Sequence, residues 1–160
     1  MKFLTIGVYG YSEEEFFSTL VANKVDVFID IRLRRGMRGK KYSFVNSSYL
    51  QNRLKELNIS YLHLKELAPT EYVREQQKIE DKARGKSKQS RTELGQSFIN
   101  AYREICLSRF DPNDLIKKLD PRHKVAVLFC VEATPNACHR GLVADFLKEH
   151  GYSIYHIVKE

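Results

Sequence analysis

The chain has 160 residues, 42% of them hydrophobic and 29% charged, with a formal net charge of +7. A chain of this length buries roughly 70% of its unfolded surface, so it needs no disulfide or metal staple to fold, and no apolar run approaches the ~20 residues of a membrane-spanning helix. One domain over residues 1–160 is expected, with cytoplasmic location and no membrane partner, and with a cationic excess that attracts polyanions without specifying which.

Phe3 to Val8 is rich in β-formers and precedes Gly10. It reads as a first strand, and Met1–Ile6 is too short and too strand-like for a secretory leader. Ser12 followed three residues later by Glu15 is a capping box, and Phe16, Phe17 and Leu20 form the apolar stripe of a helix from about Ser12 to Asn23. Val25 to Ile31 is a second strand, apolar enough to be buried on both faces. Arg32 to Lys41 then carries six cationic residues in ten, with glycines that mark a loop. Asn46 or Ser47 caps a second helix with Leu50, Leu54 and Leu57 at helical spacing, and Ile59 to Leu64 is a third strand. Glu71 to Arg91 is polar and poor in apolar residues, and reads as a helix-and-loop excursion, partly disordered. Helical periodicity returns from Thr92 to Arg109, where Cys106 shares an apolar stripe with Phe98, Ala101, Tyr102 and Ile105 and is therefore a core residue. A short helix over Asn113–Leu119, a strand over Lys124–Phe129, a helix from Cys138 to His150 stopped by Gly151, and a strand over Ser153–Val158 complete the chain. Alternating strands and helices imply an α/β fold: a three-layer α/β/α sandwich around a mainly parallel sheet of about five strands.

The stretch from Cys130 to Arg140 places two thiols, a carboxylate, an imidazole and a guanidinium on one strand-to-helix turn. In an open α/β sheet such turns lie where ligands bind. If Cys138, His139 and Arg140 open the helix, its N-terminus and the Arg140 fork suit an anion, and Cys138 is a possible nucleophile. Alternatively Arg140 pairs with Glu132 to pin the loop while Cys138 packs inward. Glu132 is the best candidate for proton transfer, with His139 beside it. A nucleophilic Cys130 is disfavoured, because Glu132 opposes its ionisation and no glycine offers a phosphate cradle. Three cysteines, an odd number, argue for reduced thiols. Cys130, Cys138, His139 and His63 are zinc-ligand types, but without a C-x₂-C pair no metal is assigned, and no cofactor is implied. His63 and His156, on strands, read as structural. Arg32 ends the second strand beside Asp30 and is expected to face the same cleft as Cys130 and Glu132, with Arg34, Arg38, Lys40 and Lys41 rimming it. Tyr9, Tyr11, Tyr42 and Phe44 near that rim are suited to stacking on bases, unless Phe44 and Tyr49 belong to the core.

Thr5-Ile6-Gly7, Asp30-Ile31-Arg32, Tyr61-Leu62-His63-Leu64, the run Cys130-x-Glu132-x-x-Pro135-x-x-Cys138-His139-Arg140 and the later His156-Ile157 together resemble the DUF488 family of small α/β proteins over nearly the whole chain. Many members continue the first motif with His-Ser, where this chain has Val8 and Tyr9, and many carry a proline and a serine after the strand-two arginine, where it has Arg35 and Gly36-Met37. The resemblance implies a fold and a site but no reaction. Three functions follow as expectations. The first is an enzyme acting on a nucleotide, nucleic acid or other phosphorylated substrate, with Glu132 and His139 moving protons and Arg32 and Arg140 holding phosphate in a deep pocket. The second is a non-catalytic nucleic-acid-binding module with a shallow basic face. The third is a thiol redox or sulfur-transfer protein using Cys130 and Cys138. Oligomeric state is left open.

Overall fold

The computed structural model describes residues 1–86 and 93–159. Five strands, β1 (Lys2–Ile6), β2 (Val27–Asp30), β3 (Ser60–His63), β4 (Val125–Phe129) and β5 (Ser153–His156), form one sheet in the order β3-β2-β4-β1-β5. Every pairing is parallel. The helices are α1 (Glu13–Ala22), α2 (Ser47–Glu56), α3 (Glu71–Arg84), α4 (Gln96–Ile105), α5 (Pro112–Lys118) and α6 (His139–Glu149). The α/β architecture expected from the alternation is therefore present. Right-handed crossovers put α1 and α2 on one face of the sheet and the later helices on the other, where α4 packs on α6.

The central strands are buried on both faces, as their unbroken apolar runs require. Phe16 of α1 joins Phe28 of β2, Phe129 of β4 and Phe44 in an aromatic cluster, with ring centroids 5.0–6.3 Å apart. The Ser12–Glu15 capping box forms, each side chain meeting the other residue's backbone N–H. Cys106 is buried, its thiol 3.8 Å from the Ala68 carbonyl.

Two expectations change. The Glu71–Arg91 excursion contains a full 14-residue helix, α3, capped by Thr70 and closed by Gly85 in the left-handed region (φ 65°). Its buried stripe is Val73, Gln77 and Asp81, two polar residues in three, so hydropathy gives it no signal. Gln77 donates to Asp81 at 2.6 Å and accepts from the Gly95 backbone N–H at 2.9 Å, which ties α3 to the start of α4. The remainder of that excursion, and the expected helix start at Thr92, lie outside the described residues. Second, Tyr11, Tyr42 and Phe44 are buried whereas Tyr49 is 44% exposed. Tyr11, Tyr42 and Phe44 are thus core residues closed to base stacking, and Tyr49 is a surface residue bonded to Glu13.

The strand order locates a crevice at the carboxyl ends of the strands. From β2 the chain crosses towards β3, and from β4 it crosses the opposite way towards β5, yet β2 and β4 are neighbours with Asp30 level with Phe129. Their carboxyl ends therefore flank the topological switch point, where diverging loops leave an opening.

Candidate functional site

At that switch point lies a cavity of about 680 Å³. Arg32, Leu33, Arg34 and Met37 from the loop after β2 line it, with Cys130, Val131 and Glu132 from the turn after β4, and His139 from the first turn of α6. Its remaining wall is α3, through Arg74, Gln77, Lys78, Asp81 and Lys82, with Lys86 just beyond and Phe98 of α4 behind. Among the described residues lining it, six are Arg or Lys and two are carboxylates.

Arg32 is 4% exposed and held in a fixed pose. Its Nε and Nη2 donate to the two Asp30 oxygens at 2.9 and 2.8 Å, Nη2 also reaches the Val45 carbonyl, and the guanidinium lies 4.8 Å from the Phe129 ring centre. Nη1 meets no hydrogen-bond partner among the described residues. Asp30 also accepts from the Tyr61 hydroxyl at 2.8 Å. Burial and the Asp30 carboxylate, opposed by Arg35, push Tyr61 up to about 12. His63 lies 2.6 Å from the Arg32 carbonyl and His156 2.7 Å from the Thr5 hydroxyl, so both are engaged in structural bonds.

Arg140 departs from its expected phosphate-binding role. It is fully buried and absent from the cavity lining among the described residues. Its Nη1 donates to the Glu132 carbonyl at 2.6 Å and Nη2 reaches the Ala133 carbonyl at 3.4 Å, so it braces the backbone of the turn. Gly7 completes the brace. A Cβ there would stand 1.8 Å from the Glu132 carbonyl oxygen and 3.0 Å from Arg140 Nη1, so only glycine lets β1 pass this close. The Val131 carbonyl accepts from both Val8 and Tyr9 N–H groups. Gly141 plays the same part at the other end of the turn, its missing Cβ leaving room for the Pro135 carbonyl.

This brace directs Cys130, Glu132 and His139 to the cavity. His139 Nε2 lies 3.0 Å from the Ile31 carbonyl, an acceptor only, so Nε2 carries the proton and donates. In the neutral ring Nδ1 is then a bare lone pair, and it faces Cys130 Sγ at 3.7 Å and Cys138 Sγ at 3.8 Å. Both ring nitrogens are thus engaged, and Glu132 stands beside them at the cavity wall. Burial and the neighbouring Cys130 push the Cys138 thiol up, the reverse of an activated nucleophile. Cys130, Cys138 and His139 also have ligand atoms within 4.8 Å of one another, a possible metal cluster that their separation in sequence did not announce.

A family model described as "Domain of unknown function DUF488" matches residues 12–147. The chain belongs to the DUF488 family. No curated protein and no solved structure matches it. The DUF488 turn thus divides into a brace (Pro135, Arg140 and Gly141, with Gly7 opposite) and a cavity-lining side (Cys130, Glu132, His139). Of the basic loop expected to rim the site, Arg34 lines the cavity, whereas Arg38, Lys40 and Lys41 are exposed and outside its lining among the described residues. The cations that sequence reasoning missed are on α3. Arg74, Lys78 and Lys82 recur every four residues, a one-face spacing legible in the sequence, but without the fold nothing shows what that face meets. Among the described residues no helix is long and apolar enough to cross a membrane.

Proposed function

We propose that this protein binds a phosphorylated small molecule of nucleotide size at the strand-end cavity, with Glu132 as the proton-transfer group beside it. The observation that carries the reading is the cavity lining, which among the described residues has six cationic side chains against two carboxylates. One of the six, Arg32, is buried and oriented by Asp30 with Nη1 left over. A pre-oriented guanidinium loses little entropy on meeting phosphate and offers fork geometry. The volume falls within the range for small-molecule sites, and Leu33, Met37, Phe98 and Val131 supply an apolar wall for a base or ring. A concave site of this size, whose lining leaves out Arg38, Lys40 and Lys41 among the described residues, favours a small ligand over an extended strand held on that loop.

Calorimetric titration with a panel of nucleoside mono- and diphosphates and with inorganic phosphate tests this. A member of the panel should bind to wild type, weaken at least tenfold in Lys78→Glu/Lys82→Glu, and keep its affinity in Arg38→Glu/Lys40→Glu. If no member binds, or if only the loop variant loses affinity, and does so for RNA or DNA, the small-ligand reading is wrong and the nucleic-acid module takes its place.

A further inference from the structure

We infer that Cys130, Cys138 and His139 form a zinc(II) site with a fourth coordination position open to the cavity. The argument stands on sulfur and nitrogen positions and is independent of the anion reading. A tetrahedral ion bound at usual zinc–sulfur and zinc–nitrogen lengths separates a sulfur from a nitrogen by about 3.6 Å and two sulfurs by about 3.8 Å. Here the two sulfur-to-nitrogen distances are 3.7 and 3.8 Å, and the three atoms lie within 4.8 Å of one another. The two thiols are also hydrogen-bonded to one another, so all three ligand atoms converge on one point, as the ligands of a single ion do.

The tautomer agrees. A ligating histidine donates its other N–H to a carbonyl or carboxylate, which fixes the ring and raises its basicity. Nε2 of His139 does so to Ile31. Charge agrees as well: two thiolates and a neutral imidazole cancel the dication, so the loaded site is neutral where all three residues are buried. Loading replaces two thiol protons by one ion, with no change of oxidation state, and both protons leave to solvent. Soft thiolates with imidazole select zinc over magnesium or calcium. Cys130 and His139 line the cavity, so the vacant position of a three-ligand sphere faces Glu132 and the cationic wall. A donor oxygen of water or of a bound ligand would complete it.

The test uses the untagged full chain, purified without chelator. Elemental analysis should find one zinc per chain, retained in Cys106→Ser, whose thiol lies elsewhere in the core, and lost from Cys138→Ser. Wild type stripped of metal and given cobalt(II) should show a thiolate-to-cobalt charge-transfer band and release about two protons per ion. Wild type that carries no zinc and yields no such band overturns the inference without reference to any variant. So does zinc retained equally by Cys138→Ser, or a Cys130–Cys138 disulfide forming readily in the purified wild type, which would mark a redox dithiol instead.

Discussion

Gly7→Ala tests the brace that holds the site. The added methyl would begin 1.8 Å from the Glu132 carbonyl oxygen, a backbone atom that cannot rotate away. The carbonyl must retreat by more than about 1 Å to reach tolerable contact, and overpacking of this kind costs about 1–3 kcal/mol. The same retreat pulls the oxygen from Arg140 Nη1, now at 2.6 Å, and a hydrogen bond to a charged group contributes about 1.5–3 kcal/mol. Together these predict a loss of about 2.5–6 kcal/mol, or roughly 5–24 °C in Tm for a chain of this size. Arg140→Ala removes the same bond from the other side. Because both changes act on one carbonyl, the double variant should be less destabilised than the sum by about 1–2 kcal/mol. Urea unfolding of wild type, both single variants and the double variant gives that coupling. Additivity within about 0.5 kcal/mol, the behaviour of independent sites, or a Gly7→Ala protein as stable as wild type, would refute the arrangement.

Asp30→Asn strips the Arg32 guanidinium of its anionic partner inside the core, and should cost about 3–5 kcal/mol in denaturant unfolding; a change below about 1 kcal/mol would mean that the pair is hydrated. Tyr61, raised to about 12 from an unfolded value near 10, stabilises the fold fully below pH 10. That contribution is lost as pH rises from 10 through 12, because the unfolded chain ionises first. Tyrosinate absorbance should therefore show a step near 12 that Tyr61→Phe abolishes, and Tyr61→Phe should flatten the fall in stability over that window. Binding of a phosphorylated ligand should slow amide exchange in Glu71–Arg84 more than in Glu13–Ala22, since α3 supplies cations to the cavity and α1 supplies none. Equal protection of both helices would point to a ligand seated elsewhere.

Much of the fold is legible because its signals are local. The capping box at Ser12, the apolar run at Val27–Ile29 and the leucine spacing of α2 each define an element without reference to the rest. The meeting of Arg32 with Cys130 and Glu132 is legible one level higher, from the rule that parallel strands bring their carboxyl ends to one edge. Two features escape. The stripe by which α3 docks is Val73, Gln77 and Asp81, held by side-chain hydrogen bonds whose partners only the fold provides, so hydropathy gives the excursion a helix but no face on which it packs. The role of Arg140 escapes because guanidinium–anion and guanidinium–carbonyl bonding look alike in sequence. Complete burial against two backbone carbonyls distinguishes them.

The division of labour between the two arginines follows from where each stands relative to the sheet. Arg140 reaches back under the turn to carbonyls drawn close by Gly7. Its charge is taken up by backbone dipoles, and it fixes the loop's shape. Arg32 leaves its strand directly at the switch point, where Asp30, two residues earlier, turns its carboxylate to the same side and accepts two of its N–H groups. A buried guanidinium paired with one carboxylate is close to neutral as a unit, which lets it lie in the core, with Nη1 buried and without a hydrogen-bond partner among the described residues. Further cationic field arrives from α3 on side chains that are exposed or half-buried, where like charges are tolerated because water screens them. A ligand that excludes that water would strengthen its attraction to all six cations at once. On the proposed reading, the cations repel one another least in water and attract an anion most strongly once that water is displaced.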